Sequence, residues 1–241
     1  MGPPVRDERP AEVRRRELLV IVPARNQESV IAHFVKNIGR SVPQCSVLVV
    51  DDASEDGTAI IAENSGASVL SMPCRLGVGA SIHGAYKLAY ELGYEYAIRI
   101  SADGQYDTRD VPRMFEALKS GAAPLVIGTR PVTKDARFGR HLRRLSRELF
   151  GKCCRWLFGS VIRDPTSNFL GVKREALRIL SRSEPLEYPE IEALLVSGQC
   201  GIVSEMPCSV ASREYEENFR LGFVVRVMAG LLLQVLQYRR Q

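Results

Sequence analysis

The sequence lacks a long uncharged apolar run, and its N-terminus lacks an apolar segment. The longest apolar stretch, residues 221–238, is interrupted by Arg226 and Gln234, so it falls short of the roughly 20 apolar residues that span a bilayer. The first 17 residues are charged and contain proline, which excludes the apolar core of a signal peptide. We therefore expect a cytoplasmic protein.

Metal-binding cysteine motifs and the common nucleotide-binding loops are also missing. The six cysteines form no Cys-x-x-Cys pair and have no histidine at metal-ligand spacing, so we expect reduced and mostly buried thiols. No G-x-x-x-x-G-K-[ST] loop occurs, which excludes a P-loop nucleotidase. The glycines of residues 75–86 have one residue too many for a dinucleotide fingerprint, so a nicotinamide cofactor is not expected.

The composition is that of an ordinary globular protein. Of 241 residues, 45% are apolar and 25% are charged, which suits one large α/β domain with a full core. Much of the net charge of +5 comes from the N-terminal tail and from residues 137–155. That asymmetry indicates an anionic partner, although no nucleic acid is expected, because the basic segment lacks a stacking pattern or a known reader motif.

Apolar runs of strand length alternate with segments of helical spacing in the first half of the chain. The runs cover residues 17–24, 46–54, 67–73, 94–103 and 123–130. This alternation predicts a mostly parallel sheet with helices on both faces. Ligands bind beyond the carboxyl ends of such strands, so we expect the polar segments that follow the strands to meet at one edge.

One strand ends in two adjacent carboxylates, which is more than helix capping needs. Asp51 and Asp52 are adjacent; one is expected to accept from a nucleobase or a ribose hydroxyl, and the other to meet a cation or order the turn. Asp56, Asp107 and Asp110 are better explained as helix caps.

The fourth strand ends in Ser101-Ala102-Asp103-Gly104-Gln105. Asp103 and Gln105 offer oxygens of the kind that Mg²⁺ or Mn²⁺ prefers, and these ions need few protein ligands beside diphosphate oxygens. Arg130, after the fifth strand, is expected to face the same crevice and bind a phosphate. The alternatives are a simple turn for the first segment and a surface arginine for the second.

Six segments together resemble family 2 glycosyltransferases with the GT-A fold, in particular the dolichol-phosphate mannose synthase and polyprenyl-phosphate glycosyltransferase branch. They are VIVPARNQES, VLVVDDASEDGT, RLGVGASIHGAY, IRISADGQYD, VIGTR and RDPTSNFLGVKREAL. The resemblance implies the α/β GT-A fold of nucleotide-diphospho-sugar transferases: a mostly parallel central sheet, helices on both faces and a C-terminal helical extension on the acceptor side. The implied parts are a charged tail (1–17), a GT-A domain (18–213) with a nucleotide-sugar half (18–130) and an acceptor half (131–213), and a C-terminal amphipathic helix (214–241).

The resemblance also implies roles for single residues. Asp103 and Gln105 would hold Mg²⁺ or Mn²⁺, with Ser101 in place of the first acid of the family's Asp-x-Asp pair, and Arg130 would face the phosphates or the acceptor. The expected nucleotide-sugar pocket comprises Pro23, Arg25, Glu28, Asp51 or Asp52, Gly77 and Arg213.

On the acceptor side, RDPTSNF resembles the family's Asp-x-Thr-Ser-Gly-Phe loop, which implicates Asp164, Thr166 and Ser167. Such folds usually invert the anomeric carbon. A polyprenyl phosphate acceptor is already anionic and needs no general base, whereas a hydroxyl acceptor needs a carboxylate to take its proton. Asp164 is the first candidate for that base, and Glu190 or Glu192 is the second.

Residues 137–158 have the pattern of a basic amphipathic helix. Four arginines share one face and apolar residues share another. Such a helix either lies in an anionic membrane interface or packs on the domain with a solvated basic face. The resemblance favours the first, and with it a peripheral contact on the inner face of the membrane.

Three hypotheses follow. The first is an inverting glycosyltransferase that uses a UDP-, GDP- or dTDP-sugar and a polyprenyl phosphate. The second is a soluble glycosyltransferase for a small hydroxylated acceptor, in cell-envelope or secondary-metabolite biosynthesis. The third is a non-catalytic nucleotide-sugar-binding protein, which Ser101 allows because a hydroxyl weakens the metal site.

Overall fold

The computed structural model describes residues 17–131, 162–164, 167–183, 200 and 203–209. Within these residues the chain forms one seven-stranded sheet with helices on both faces. The predictions for residues 1–16, 137–158 and 214–241 lie outside the described residues, as do those for Thr166, Glu190, Glu192 and Arg213.

The first half alternates strands and helices as predicted. The strands are β1 (Leu18–Ala24), β2 (Ser46–Asp51), β3 (Ser68–Ser71), β4 (Tyr96–Arg99), β5 (Leu125–Thr129), β6 (Leu170–Lys173) and β7 (Val203–Pro207). The helices are α1 (Glu28–Ser41), α2 (Thr58–Asn64), α3 (Val78–Glu91), α4 (Val111–Ser120) and α5 (Arg174–Arg182), with a 3₁₀ turn at Thr108–Asp110 before α4.

The sheet order is β3-β2-β1-β4-β6-β5-β7. Strands β3, β2, β1 and β4 pair in parallel, and β7 pairs in parallel with β5. Strand β6 runs antiparallel to both of its neighbours, β4 and β5. Six strands therefore share one direction, which confirms the mostly parallel sheet.

Each face of the sheet has its own apolar core, because side chains alternate along every strand. From β1, Leu19 and Ile21 join the core under α3 and α5. Leu18, Val20 and Val22 join the core under α1 and α4. The continuous apolar runs of the sequence thus belong to strands that are buried on both faces.

The antiparallel strand β6 brings a loop from the second half of the chain to the edge of the sheet where the parallel strands end. Leu170, its first residue, pairs with Arg99 near the end of β4 and with Ile127 on β5. The residues just before β6 therefore lie beside the carboxyl ends of both strands.

Of the predicted helix caps, Asp107 makes a capping hydrogen bond and Asp110 does not. Asp107 accepts a hydrogen bond from the backbone N–H of Arg109 at 2.9 Å, and the Arg109 side chain, which also donates to it, is the main cause that lowers its pKa. Asp110 makes no capping hydrogen bond to α4. It accepts instead from the Ser209 N–H at 2.5 Å, which anchors the segment after β7 to the start of α4.

The described cysteines are all free, but only Cys208 is buried and Cys74 is exposed. Burial raises the pKa of Cys45 to about 11 and that of Cys208 to about 12. Only one of the four described thiols is buried, so the expectation of mostly buried thiols was wrong for these residues.

The longest helices among the described residues, α1 and α3, have 14 residues each. In that part of the chain no helix combines the length and the apolar character that crossing a bilayer requires.

Gly128 packs β5 tightly against Phe169, in the loop before β6. Its N–H donates to the Phe169 carbonyl at 2.8 Å. A Cβ atom at Gly128 would lie 2.4 Å from Cδ1 of the fully buried Phe169 ring. We expect Gly128→Ala to destabilise the protein by about 1–3 kcal/mol, because the packed ring has no room to move.

Gly39 on α1 provides the matched control, since a Cβ atom there meets nothing within 4 Å. Gly39→Ala should be neutral or stabilise by up to about 1 kcal/mol, because alanine favours the helix. Urea unfolding of both variants measures the difference. Equal stability of the two variants would show that Phe169 does not pack against Gly128.

Candidate active site

A crevice with a volume of about 330 Å³ opens at the carboxyl ends of the strands. Its walls come from the segments that follow β1, β2, β3 and β4, and Asn168 contributes from the loop before β6. The predicted site residues that line it are Pro23, Arg25, Asp52, Gly77 and Asp103. The crevice is also lined by Gln27, Arg75, Ser81 and Ser101.

Two loops on one side of the crevice, after β1 and after β2, are joined by five hydrogen bonds between backbone N–H groups and side-chain oxygens. Glu28 takes part in two of them: its N–H donates to Asp56 at 3.2 Å, and its carboxylate accepts from the Gly57 N–H at 2.9 Å. The Glu28 carboxylate therefore binds the neighbouring loop and does not line the crevice.

The two adjacent carboxylates at the end of β2, those of Asp51 and Asp52, point in different directions. Asp51 closes its own turn by accepting from the N–H of Ser54 at 3.3 Å and from the Ser54 hydroxyl. Between them, Ala53 has a left-handed φ of 55°, a conformation that such a turn must hold in place.

Asp52 reaches across to the loop that begins α3. One of its oxygens accepts from the Leu76 N–H at 2.9 Å and the Ser81 hydroxyl at 2.8 Å, and the other accepts from the Gly77 N–H at 3.1 Å. Gly77 has a φ of 87°, which a glycine adopts without strain. The carboxylate thus fixes the loop that forms the opposite wall.

Arg130 forms a buried ion pair, and its side chain is not among those that line this crevice. Its Nε and Nη2 atoms donate to the two carboxylate oxygens of Asp164, each at 2.8 Å. The exposed fractions of the two side chains are 9% and 2%. Glu205 on β7 holds the residue next to Asp164 by accepting from the Arg163 N–H at 2.5 Å.

A hydrogen-bonded chain runs from this ion pair to the crevice. The remaining Arg130 nitrogen, Nη1, donates to the Gln105 amide oxygen at 2.9 Å. The Gln105 amide nitrogen donates to the Asp103 carboxylate at 2.8 Å. Because a guanidinium only donates and a carboxylate only accepts, this pairing sets the orientation of the Gln105 amide.

The residues present fit a divalent metal through Asp103 but not through Gln105. Asp103 is exposed and lines the crevice beside Ser101, whereas the Gln105 amide is buried with its oxygen on Arg130. Among the described residues, no cluster of three or more His, Cys, Asp or Glu side chains is placed to hold an ion. One carboxylate suffices for Mg²⁺ or Mn²⁺ only when phosphates and water supply the other ligands.

A buried hydroxyl network fixes the loop before β6. The Tyr106 hydroxyl accepts from the Asn168 N–H at 2.9 Å and lies 3.2 Å from the Ser167 hydroxyl, which donates to the Gly128 carbonyl at 2.5 Å. Burial is the main cause that raises the pKa of Tyr106, so the phenol stays protonated. Because the Ser167 hydroxyl donates to Gly128, the Tyr106 hydroxyl is the donor in its hydrogen bond with Ser167. The network places Asn168 in the crevice wall.

Sequence reasoning missed Arg75 and Tyr106. Arg75 lies in a loop whose sequence has no periodic pattern. Tyr106 directly follows the segment 101–105, whose Asp103 and Gln105 were the candidate metal ligands. The one available signal for Arg75 was its position just before Gly77, in a segment already suspected of meeting a ligand.

Comparison with known proteins gives the family and the fold. Residues 19–180 match Glycosyl transferase family 2, and the chain belongs to this family. Polyprenol monophosphomannose synthase of Mycolicibacterium smegmatis is 29% identical over 184 residues, which cover 73% of this chain and 69% of that protein. Undecaprenyl-phosphate mannosyltransferase of Micrococcus luteus is 27% identical over 218 residues, which cover 86% and 89%.

Among solved structures, glucosyl-3-phosphoglycerate synthase of Mycobacterium tuberculosis in complex with UDP matches with a TM-score of 0.69 and 23% identity, covering 91% of this chain and 80% of that chain. A complex of the same protein with Mn²⁺, UDP and glucosyl-3-phosphoglycerate matches with a TM-score of 0.67. These likenesses confirm the GT-A fold.

The buried ion pair generates a stability prediction. Asp164→Asn should lower the free energy of unfolding by about 3–5 kcal/mol, because it leaves the buried Arg130 guanidinium without a full counter-charge. A double variant, Arg130→Met with Asp164→Leu, should recover most of that loss, since apolar side chains of similar size replace both charges.

The matched control is Arg109→Ala, which removes the exposed partner of another Arg–Asp pair, that with Asp107. Little change is expected there, because solvent screens exposed pairs. Urea unfolding compares all three proteins. If Asp164→Asn behaves like the exposed control, the ion pair does not organise the site.

Proposed function

We propose that the protein transfers a sugar, with inversion, from a nucleotide-diphosphate donor to a polyprenyl phosphate. The observation that carries the proposal is a crevice at the carboxyl edge of the sheet that contains one exposed carboxylate, Asp103, together with Arg25 and Arg75. This combination suits the diphosphate of a nucleotide sugar, because a metal ion and cationic side chains both bind its negatively charged non-bridging oxygens.

The donor half of the proposal assigns the crevice walls to the nucleotide. Pro23, Arg25 and Gly77 lie along it, with Asp51 and Glu28 holding the adjoining loops. A divalent ion bound through Asp103 would stabilise the negative charge that develops on the departing diphosphate. Gln105 and Arg130 keep the Asp103 carboxylate in position.

The acceptor half rests on what the relatives act on and on the position of Asp164. The names of both bacterial relatives contain a polyprenyl phosphate acceptor or product. Asp164, our first candidate for a general base, is 1% exposed and binds Arg130 through both oxygens. It is therefore badly placed to take a proton from a hydroxyl. A phosphate acceptor needs no such base, because its oxygen is already anionic.

The sugar stays open in this proposal. The relatives include mannosyltransferases and, in Methanococcus voltae, a transferase of N-acetylglucosamine to dolichyl phosphate that is 24% identical over 233 residues. A peripheral membrane contact through residues 137–158 belongs to the same proposal, since a polyprenyl phosphate resides in a bilayer.

The test supplies radiolabelled UDP-, GDP- and dTDP-sugars with Mg²⁺ or Mn²⁺ and polyprenyl phosphate in detergent. Label that partitions into the organic phase as a lipid phosphate supports the proposal. Label found only on an added small hydroxylated acceptor would favour a soluble glycosyltransferase instead. Binding of a nucleotide sugar without any transfer would favour a non-catalytic protein.

Asp103→Asn should lower the transfer rate by roughly 100-fold or more, because the metal supplies several kcal/mol of charge stabilisation. Asp107→Asn is the matched control, since Asp107 lies four residues away, pairs with Arg109 and does not line the crevice. Transfer assays on both variants check the difference. Full activity in Asp103→Asn would show that Asp103 does not hold a catalytic metal.

Ser101→Asp should tighten Mn²⁺ binding, because it adds a carboxylate to the same crevice wall as Asp103. Electron paramagnetic resonance of free Mn²⁺ measures the affinity directly, with and without nucleotide. An unchanged affinity would place residue 101 out of reach of the metal.

A further inference from the structure

Two arginines carry the positive charge of the crevice among the described residues that line it. Arg130 is excluded, because its guanidinium is buried against Asp164 and Gln105. Arg25 lies with its Nη2 atom 3.5 Å from a carboxylate oxygen of Glu55, so part of its charge is already compensated. Arg75 is exposed and forms no ion pair with any described residue. The least compensated positive charge in the crevice is therefore Arg75.

Asp52 holds the backbone of the loop that carries Arg75. The two N–H groups that follow Arg75 along the chain, those of Leu76 and Gly77, donate to the Asp52 carboxylate at 2.9 and 3.1 Å. The Ser81 hydroxyl adds a third donor at 2.8 Å from the first turn of α3. These contacts fix the backbone of the loop on the side next to Arg75.

The same contacts leave Asp52 little capacity for a ligand. A carboxylate has about four positions at which it accepts hydrogen bonds, and three of them are filled from within the protein. The residue is also 8% exposed. A nucleobase or a ribose hydroxyl would therefore have to compete with donors that are already in place.

We propose that Arg75 binds the diphosphate of the nucleotide donor, and that Asp52 is a positioning residue that holds the Arg75 loop rather than a reader of the nucleobase or ribose. The inference rests on the proposed function insofar as the ligand is a nucleoside diphosphate. A guanidinium binds two phosphate oxygens at once, and its charge opposes the charge that the leaving diphosphate gains.

The test is direct binding without an acceptor, so it does not depend on turnover. Isothermal titration with UDP, GDP, CDP and dTDP first identifies the diphosphate that wild-type protein prefers. The matching nucleoside monophosphate is then compared with it, in Mn²⁺ and in EDTA. A residue that contacts the distal phosphate changes the affinity for the diphosphate and leaves that for the monophosphate nearly unchanged.

Arg75→Ala should weaken diphosphate binding by roughly 10- to 100-fold, the range expected for one charge-assisted contact. Its effect on the monophosphate should stay within about threefold, as an order-of-magnitude bound on indirect effects. Arg75→Lys should recover part of the loss, since it restores the charge but not the bidentate geometry. Arg109→Ala, which removes an arginine outside the crevice, should leave both affinities unchanged.

Asp52→Asn tests the positioning role. It should weaken diphosphate binding in the wild-type background and have little further effect in Arg75→Ala, because a residue that acts only through Arg75 loses its effect with it. If Asp52 reads the base or ribose, the same substitution weakens monophosphate binding equally and adds to the effect of Arg75→Ala. Ser81→Ala removes one of the three donors and provides a milder test, in the same direction, should Asp52→Asn fail to fold.

The failures of the two proposals are distinguishable. Wild-type protein that binds no nucleoside diphosphate would overturn the proposed function itself. Wild-type protein that binds one, together with Arg75→Ala that binds it equally well, would overturn only the role of Arg75. Thermal melting of every variant without ligand shows which of them are folded before their affinities are compared.

Discussion

The buried ion pair between Arg130 and Asp164 is the interaction on which the crevice edge of the sheet depends. Two charges removed from water are tolerated only when they are paired and hydrogen-bonded, so each side chain fixes the position of the other. One belongs to the end of β5 and the other to the loop before β6. Through the Gln105 amide, the pair also sets the direction of the Asp103 carboxylate. The most exposed acid of the site is thus oriented from the interior.

Much of the fold follows from the sequence, because strands buried on both faces leave continuous apolar runs of characteristic length. That signal predicts five of the parallel strands and places the polar segments at one edge. It does not predict the place of β6. Four residues, Leu170–Lys173, are too few to show a period, and their partners β4 and β5 lie far away in the chain. The segment LGVK therefore gives no local sign that it runs antiparallel to its neighbours.

The candidate site is predictable in position but not in orientation. Adjacent carboxylates, a carboxylate with a nearby amide and an arginine after a strand all occur where ligands bind. Which of these side chains face the crevice depends on hydrogen-bond partners 24 to 34 residues away in the sequence. Asp52, Gln105 and Arg130 turn toward such partners, whereas Arg75 had no pattern to reveal it and stays in the crevice. A side chain whose hydrogen-bonding groups are already paired within the protein is no longer available to a ligand. The spacing of residues in the sequence does not show which side chains are paired in this way.

The antiparallel strand β6 has a consequence for how the chain can be divided. Because β6 lies between β4 and β5, those two strands have no hydrogen bonds to each other, although both belong to the first 130 residues. A fragment that ended after β5 would leave each of them with an open edge. Open edges of buried, apolar strands pair readily with other chains. Strand β6, from the second half of the chain, therefore covers strand edges of the first half, and exchanging second-half segments between relatives requires β6 to be carried along intact.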